Sequence, residues 1–381
     1  MPAARISYTE RVTGISRLSS IAFAVIILAA LSGCSLLPGY GPTTSVEIAL
    51  PRDPSAPDPD APRLAPLGTR YFAAVAPTAE VLGATQVLFA RHENTFSELA
   101  RRHNLGYQEL RDANPAVDPW LPGAGSPVFL PTMSVMPDAP RDGIVINLPS
   151  MRLLYGTRES TGPDVPLTVS SYPIGIGREG WATPLGATKV IQKVVDPAWY
   201  PPKSIRAEHA ELGDPLPSVV PAGPDNPLGR HMLQLALPGY LIHGTNKPAG
   251  VGLRVSHGCI RMYPEDIETL FERVPRQTPV RIVNQPALAG WRDGELYLEV
   301  HAPLAEDERD LADEAERVIA AALVRAGRET AKIDQAVVTR VVAERRGIPF
   351  PVLAQNLKLE AYLARSRVVQ NIDTATVTAS R

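Results

Sequence analysis

A histidine and a cysteine sixteen residues apart carry the chemistry of this chain. His243 closes the apolar run Tyr240-Leu241-Ile242, and Cys259 lies in Ser256-His257-Gly258-Cys259-Ile260-Arg261. A thiol attacks as its thiolate, and a neighbouring imidazole can generate or stabilise that form near neutral pH. Tyr240 to His243 reads as a strand, Gly244 to Gly252 as a loop rich in small residues, and Leu253-Arg254-Val255 as the return. A strand, a loop and a return bring a nitrogen of His243 within reach of Cys259 Sγ. Gly258 lacks a Cβ, so substrate can approach closely, and backbone N–H groups beside the nucleophile can face a developing oxyanion. One such donor is typically worth about 3 kcal/mol at the transition state. Arg261 offers a guanidinium fork to a substrate carboxylate, or else pairs structurally with Glu265 or Asp266. His257 either orients Cys259 or makes a structural hydrogen bond within the turn. An inert buried thiol is the other reading of Cys259, but a glycine, two histidines and an arginine are poor surroundings for one. The histidines lack metal-ligand spacing, so neither a metal nor a cofactor is expected.

The elements that must position these residues are mostly strands. Ile144 to Asn147 and Arg152 to Tyr155 flank Leu148-Pro149-Ser150 as a hairpin. Further strands are expected at 167–172, 187–192, 232–235, 240–243 and 280–283, with Pro-rich loops at 196–202 and 213–227. Many short strands with long turns suggest a β-sandwich or barrel. One helix fits Pro264 to Val274, with Pro264 and Glu265 in its first turn and Ile267, Leu270 and Phe271 on its apolar face. Upstream, Val87 to Ala90 reads as a strand, and Thr95 caps a helix bearing Phe96, Leu99 and Ala100. A second helix runs from Tyr107 to Ala113 and stops before Asn114-Pro115, and Val128 to Leu130 closes the segment as a strand. Beyond Gln285, Leu296 to Val300 reads as an edge strand, while 307–328 and 330–346 read as helices rich in Ala, Glu and Arg. Those helices are expected to be a solvated appendage or a partner surface, and 370–381 a frayed end.

At 381 residues the chain has room for two domains or a little more. Its 38 basic against 40 acidic side chains, with no basic block, exclude a nucleic-acid partner.

At its chemical core the chain resembles the L,D-transpeptidases with the YkuD-type catalytic domain. Their signature is a histidine, a gap of about fifteen residues, then Ser/Thr-His-Gly-Cys, an apolar residue and Arg or Asn. Here it stands as His243 and Ser256 to Arg261 without departure. Gly175-Ile176-Gly177, Thr183-Pro184-Leu185-Gly186 and Asp225 to Gly229 match further segments of that family. The resemblance implies Cys259 as nucleophile and His243 as general base, then acid. It implies His257 and Gly258 at the oxyanion, and Arg261, Ser256, Thr245 and Asn246 at the substrate. It also implies peptidoglycan stem peptides and glycan as partners. Cys259 would attack the carbonyl joining diaminopimelate to D-alanine and pass the acyl group to an amine. That amine belongs to another diaminopimelate or to a lysine of an outer-membrane lipoprotein; water would make the protein a hydrolase. A non-catalytic wall-binding lipoprotein is the contrasting reading.

The βααβ order of residues 84–133 resembles a LysM module, a binder of N-acetylglucosamine-containing glycans, with Glu93-Asn94 where that family has Gly-Asp. Near the N-terminus, Arg5, Arg11 and Arg17 precede an apolar stretch from Ile21 to Leu31, shorter than the roughly 20 residues of a spanning helix. Leu31-Ser32-Gly33-Cys34 resembles a bacterial lipobox, which implies lipid on Cys34, a membrane anchor and a place on the periplasmic side of the envelope, at the outer rather than the inner membrane. The whole reads as a mainly β chain. Residues 1–33 are a lipoprotein signal peptide, 34–83 a Pro-rich tether and 84–133 the LysM-like module. Residues 142–285 are a YkuD-type β-sandwich catalytic domain with one or two short helices, and 286–381 a mostly helical C-terminal extension.

Overall fold

Thr95 accepts a hydrogen bond from the Glu98 N–H and so starts helix α1 (Phe96–Arg102), as its residue type demands. The structure, a computed structural model, describes residues 70–371 apart from Pro77, Glu159, Thr161, Pro163, Asp164, Gln355 and Asn356. The signal peptide, Cys34 and most of the tether lie outside the described residues. The stretch read as tether already forms strands near its end: β1 (Arg70–Val75) and β2 (Val81–Leu82). Strands β3 (Gln86–Phe89) and β4 (Pro127–Leu130) pair antiparallel around α1 and α2 (Tyr107–Ala113). Phe96, Leu99, Leu105, Leu110, Val128 and Leu130 fill the space between them, fully buried. Asn114 stops α2; its side chain donates to the Leu110 and Phe129 carbonyls and accepts from the Phe129 N–H. Strand β5 (Ser134–Val135) pairs with β2.

Ten strands and two helices follow. Strands β6 (Gly143–Asn147) and β7 (Arg152–Arg158) make the expected hairpin, and β8 (Leu167–Pro173) pairs with β7 on one edge and β1 on the other. Next come β9 (Ile176–Gly177), β10 (Gly186–Val195), α3 (Lys203–Glu211), β11 (His231–Leu235) and β12 (Leu241–His243). They are followed by β13 (Arg254–Ser256), β14 (Ile260–Arg261), α4 (Pro264–Arg273) and β15 (Pro279–Val283). One continuous sheet of nine strands runs β1-β8-β7-β6-β15-β10-β11-β12-β14. Strand β10 joins its halves: Gly186 to Lys189 pair with β15, Gln192 to Val195 pair with β11, and a register shift falls between. Both halves bury their apolar positions in one core, where Tyr172 and Ile260 from opposite ends of the sheet meet Ile267 and Leu270 of α4. Where a β-sandwich is expected, the catalytic region forms one continuous nine-stranded sheet whose strands share a core with α4.

The region beyond Gln285 corrects the expectation of a helical appendage. Strands β16 (Ala287–Arg292) and β17 (Glu295–Val300) form a hairpin over Asp293-Gly294, both with positive φ, 52° and 84°. Helices α5 (Leu311–Ala326) and α6 (Gln335–Glu344) pack on that hairpin, and β18 (Phe350–Pro351) extends it. After α7 (Leu359–Leu363), strand β19 (Arg367–Val368) returns to pair parallel with β3, so the far end of the chain completes the sheet of the βααβ module. The region has its own core because α5 and α6 each present one apolar face that cannot stay in water.

The βααβ module sits against β7, the loop that leads into β13, and the start of α4. Asn104 Nδ2 donates to both oxygens of buried Asp266 at 2.9 and 2.8 Å, and buried Arg152 pairs with half-buried Glu109 at 2.9 Å. Tyr263 Oη donates to the Leu105 carbonyl, and the Gln108 N–H to that of Gly252. Gly106 and Gly252 touch backbone to backbone, and a Cβ on Gly252 would overlap Gly106 Cα and Tyr107 N.

Candidate active site

Parallel pairing of β12 with β14 sets Ile242 against Ile260 and His243 against Arg261. Cys259 immediately precedes β14, and side chains alternate faces along a strand, so Cys259 and Arg261 share the face that His243 occupies on β12. The sheet, rather than the fifteen residues between them, therefore sets the histidine and the cysteine on one face. Those residues turn through a 3-10 turn at Pro248–Gly250 and return as β13, which pairs with β9.

His243 is 4 % exposed. Its Nδ1 lies 2.6 Å from the Gly244 carbonyl. A carbonyl only accepts, so Nδ1 carries the proton and Nε2 keeps its lone pair. Burial, and then the charge of Arg261, push this imidazole down to about 4, against the pull of the Gly244 and Leu228 carbonyls. Leu228 is held close because buried Asn226 ties its own segment together, donating to the Pro197 and Pro221 carbonyls and accepting from the Leu228 N–H.

Cys259 is a partly exposed free thiol. It donates to the Gly239 carbonyl at 3.6 Å. Burial pushes its pKa up, while the Leu241 N–H and the Arg261 charge favour the thiolate. A raised thiol and a lowered imidazole define a resting pair in which both are neutral, with the proton on sulfur and the acceptor lone pair on nitrogen. Arg261 is half-buried and its own pKa is lowered by that burial; its Nε is buried with no hydrogen-bond partner. The structural ion pair considered for it is not formed: Glu265 binds Arg101 in a two-bond fork and Asp266 holds Asn104.

The turn before Cys259 is tied on every side. Gly258 has φ 98°, and a Cβ there would lie 2.9 Å from the Tyr240 ring, so glycine is required on both counts. Ser256 Oγ donates to the Cys259 carbonyl at 2.6 Å and accepts from the Gly258 N–H at 3.2 Å, which engages its hydroxyl within the turn. Thr183 Oγ1 donates to the Gly258 carbonyl. Thr245 Oγ1 accepts from the Lys247 N–H, and Asn246 Nδ2 donates to the Asp225 carbonyl. Thr245 is therefore a loop-shaping residue at 4 % exposure, while Asn246 stays at the surface.

Three residues at the site were not singled out from the sequence. Glu208 of α3 lies 3.0 Å from His257 Nε2. Arg178 also binds Glu208, and its Nη2 is 3.2 Å from the same ring nitrogen. The Trp181 ring meets His257 edge-on, 4.8 Å between centroids. Helix α3 falls between two Pro-rich loops and buries one apolar residue, Ile205, so no hydrophobic period announces it. The available signal was Pro201-Pro202 ahead of a run of good helix formers, Lys203 to Glu211.

A thiol and a proton-accepting imidazole on one sheet face, with a half-buried guanidinium beside them, suit cysteine-dependent acyl transfer. Residues 141–282 match the family described as L,D-transpeptidase catalytic domain, and residues 289–352 that of the L,D-transpeptidase C-terminal domain. The chain is 41 % identical over 259 residues to the probable L,D-transpeptidase YcfS of Escherichia coli (strain K12), covering 67 % of this chain and 79 % of that protein. It is 38 % identical over 278 residues to the probable L,D-transpeptidase YbiS of the same strain, covering 71 % and 88 %. It is 36 % identical over 281 residues to the probable L,D-transpeptidase ErfK/SrfK of Salmonella typhimurium (strain LT2), covering 72 % and 89 %. The match to the solved catalytic domain of an E. faecium L,D-transpeptidase is 23 % identical and covers 38 % of this chain and 98 % of that domain, with a TM-score of 0.27. The chain belongs to the L,D-transpeptidase family. The family match over 289–352 covers most of β16 and all of β17, α5, α6 and β18.

Proposed function

We propose that this enzyme transfers peptidoglycan stem peptides through Cys259. The carrying observation is the shared face of His243, Arg261 and Cys259 on two parallel strands. His243 Nε2 takes the thiol proton as Sγ bonds to the carbonyl carbon between diaminopimelate and the terminal D-alanine. The oxyanion faces the backbone N–H groups of the 257–259 turn, of which that of Gly258 is already held by Ser256 Oγ. As the tetrahedral centre collapses, the C–N bond breaks, the leaving D-alanine nitrogen takes the proton from His243, and a thioester remains. An incoming amine, deprotonated by the same imidazole, attacks the thioester and restores the thiol. Arg261, a half-buried cation with an unsatisfied Nε, suits a carboxylate of the stem.

The acceptor amine comes from a second diaminopimelate, giving a direct cross-link, or from a lysine of an outer-membrane lipoprotein. The βααβ module would hold glycan and the lipid on Cys34 would hold the outer membrane from its periplasmic side. The arrangement of parts along the chain supports both. The test is acylation by a carbapenem, followed by intact mass. Wild type gains one adduct and Cys259→Ala gains none; an adduct on the Ala protein rules Cys259 out as the nucleophile. Muropeptide analysis in a host lacking such enzymes then separates diaminopimelate-linked dimers from a lipoprotein remnant on the stems.

A further inference from the structure

The second histidine of the motif has no step in that sequence, and its surroundings are unusually specific for a bystander. Its Nε2 points at the Glu208 carboxylate, 3.0 Å away, and Arg178 Nη2 is 3.2 Å from the same nitrogen. Both contacts cannot be hydrogen bonds to a neutral ring at once. Nε2 either donates to the carboxylate or accepts from the guanidinium. An unprotonated Nε2 would set its lone pair against those of an ionised carboxylate, so the arrangement selects the Nε2–H form and leaves the lone pair on Nδ1. Arg178 meanwhile holds Glu208 and keeps it charged: the carboxyl lies below its ordinary range, first through Arg178 and also through His257. The Arg178 N–H donates to the Ser256 carbonyl at 3.0 Å. The ring closes on itself: Ser256 holds Arg178, Arg178 holds Glu208, Glu208 holds His257, and His257 follows Ser256 in the chain two residues before the nucleophile.

We propose that Glu208, carried in by helix α3, is a positioning residue of this active site: it fixes the tautomer and orientation of His257 and through it the turn that presents Cys259. The excursion from Asp196 to Arg230 is then part of the catalytic apparatus, with α3 as its working element. The inference rests on Cys259 being the nucleophile.

Three single variants of the full chain test it: Glu208→Ala, Glu208→Gln and, on the same helix, the exposed Glu211→Ala. Long-range 1H–15N spectra of the imidazoles read the tautomer without substrate, and carbapenem acylation of Cys259 is followed against pH. Wild type shows His257 with its proton on Nε2. In Glu208→Ala that proton moves to Nδ1, because Nε2 is left facing the Arg178 donor, and acylation slows ~10²-fold, the scale of a misplaced reacting group. Glu208→Gln, whose amide oxygen still accepts, keeps the Nε2–H form and a rate between the two; Glu211→Ala matches wild type. Should Glu208→Ala lose its fold, the comparison of Glu208→Gln with Glu211→Ala carries the test. An Nδ1–H tautomer in wild type overturns the proposal, as does an unchanged rate and tautomer in Glu208→Ala, or a loss in Glu211→Ala equal to that in Glu208→Ala. Absence of any wild-type adduct would instead remove Cys259 as nucleophile, and the tautomer spectra would still stand alone.

Discussion

His243 and Arg261 lie opposite each other on parallel strands, a base and a permanent cation in one register pair. The cation has two effects of opposite use. It lowers the basicity of the imidazole, and it favours the thiolate form of Cys259. Burial acts on both groups in the direction of neutrality, and for both it is the largest influence. The site therefore rests as thiol and imidazole. A neutral thiol is less reactive toward adventitious electrophiles than a thiolate.

Removing the cation should move both groups the same way. In Arg261→Ala the His243 pKa rises because a repelling charge is gone, and the Cys259 pKa rises because an attracting one is gone. The pH profile of Cys259 alkylation by iodoacetamide should shift alkaline, and KM for a stem peptide should rise more than kcat falls if the guanidinium holds a substrate carboxylate. A profile that stays in place would show that the charge is screened from both groups.

The contact of Gly106 with Gly252 makes a sharp prediction about the βααβ module. Gly252 has φ 78°, costly for any other residue by about 1–2 kcal/mol, and an added methyl would overlap the Gly106 backbone. Gly252→Ala should lower the melting temperature and slow acylation, since the same loop leads through β13 into the motif turn. Gly125→Ala, also at positive φ but with nothing within 4 Å, should cost only the backbone term. Equal losses in the two variants would mean that module docking does not matter to the loop.

What the sequence disclosed depended on how local the signal was. Strands β6, β7, β8, β11 and β15 carry apolar runs or alternation between turn residues, and each lies within a few residues of its expected place. The cysteine motif is contiguous, so its residue types were readable together. Glu208 and His257 are 49 residues apart, and α3 carries little apolar signal. Their meeting is a product of tertiary structure. The C-terminal sheet is legible only in part: Leu296 to Val300 reads as a strand and stands in β17, but its partner β16 is not expected. Asp293-Gly294 between them is a strong hairpin signal, outweighed by the Ala-rich helices that dominate the composition beyond it. The pairing of β19 with β3 joins residues at opposite ends of the described chain, and no local rule reaches it.

His243 should make stability fall in mild acid. The folded ring titrates near 4, below the 6.5 of the unfolded chain, so the unfolded state binds more protons between those values. Its contribution is complete above about pH 6.5 and is lost as pH falls toward 4, a loss of about 3 kcal/mol. Chemical denaturation from pH 7 to 4 should show a shallower decline in His243→Gln than in wild type. Parallel curves for the two proteins would mean that the folded ring protonates freely.

Asp266 should act with the opposite sign. Burial first, and then the Glu265 charge, push its carboxyl up to about 7 from 3.8, against Arg152 and the Asn104 amide. The folded state binds more protons over that window, so this group's contribution is present below about 3.8 and lost as pH rises through 7. Above neutrality the protein carries a buried anion at the junction of α4 with the βααβ module, opposed by one amide donor and a neighbouring arginine already paired to Glu109. Asp266→Asn keeps an acceptor for Asn104 Nδ2 and removes that charge. It should melt several degrees above wild type at pH 8, and the advantage should shrink as pH falls to 4, where the native carboxyl is neutral. The wild-type decline that His243 causes in acid is partly masked by this gain, so both variants are needed to separate the two. An Asp266→Asn protein less stable than wild type at pH 8 would show that Arg152 and Asn104 together more than offset the cost of burying the anion.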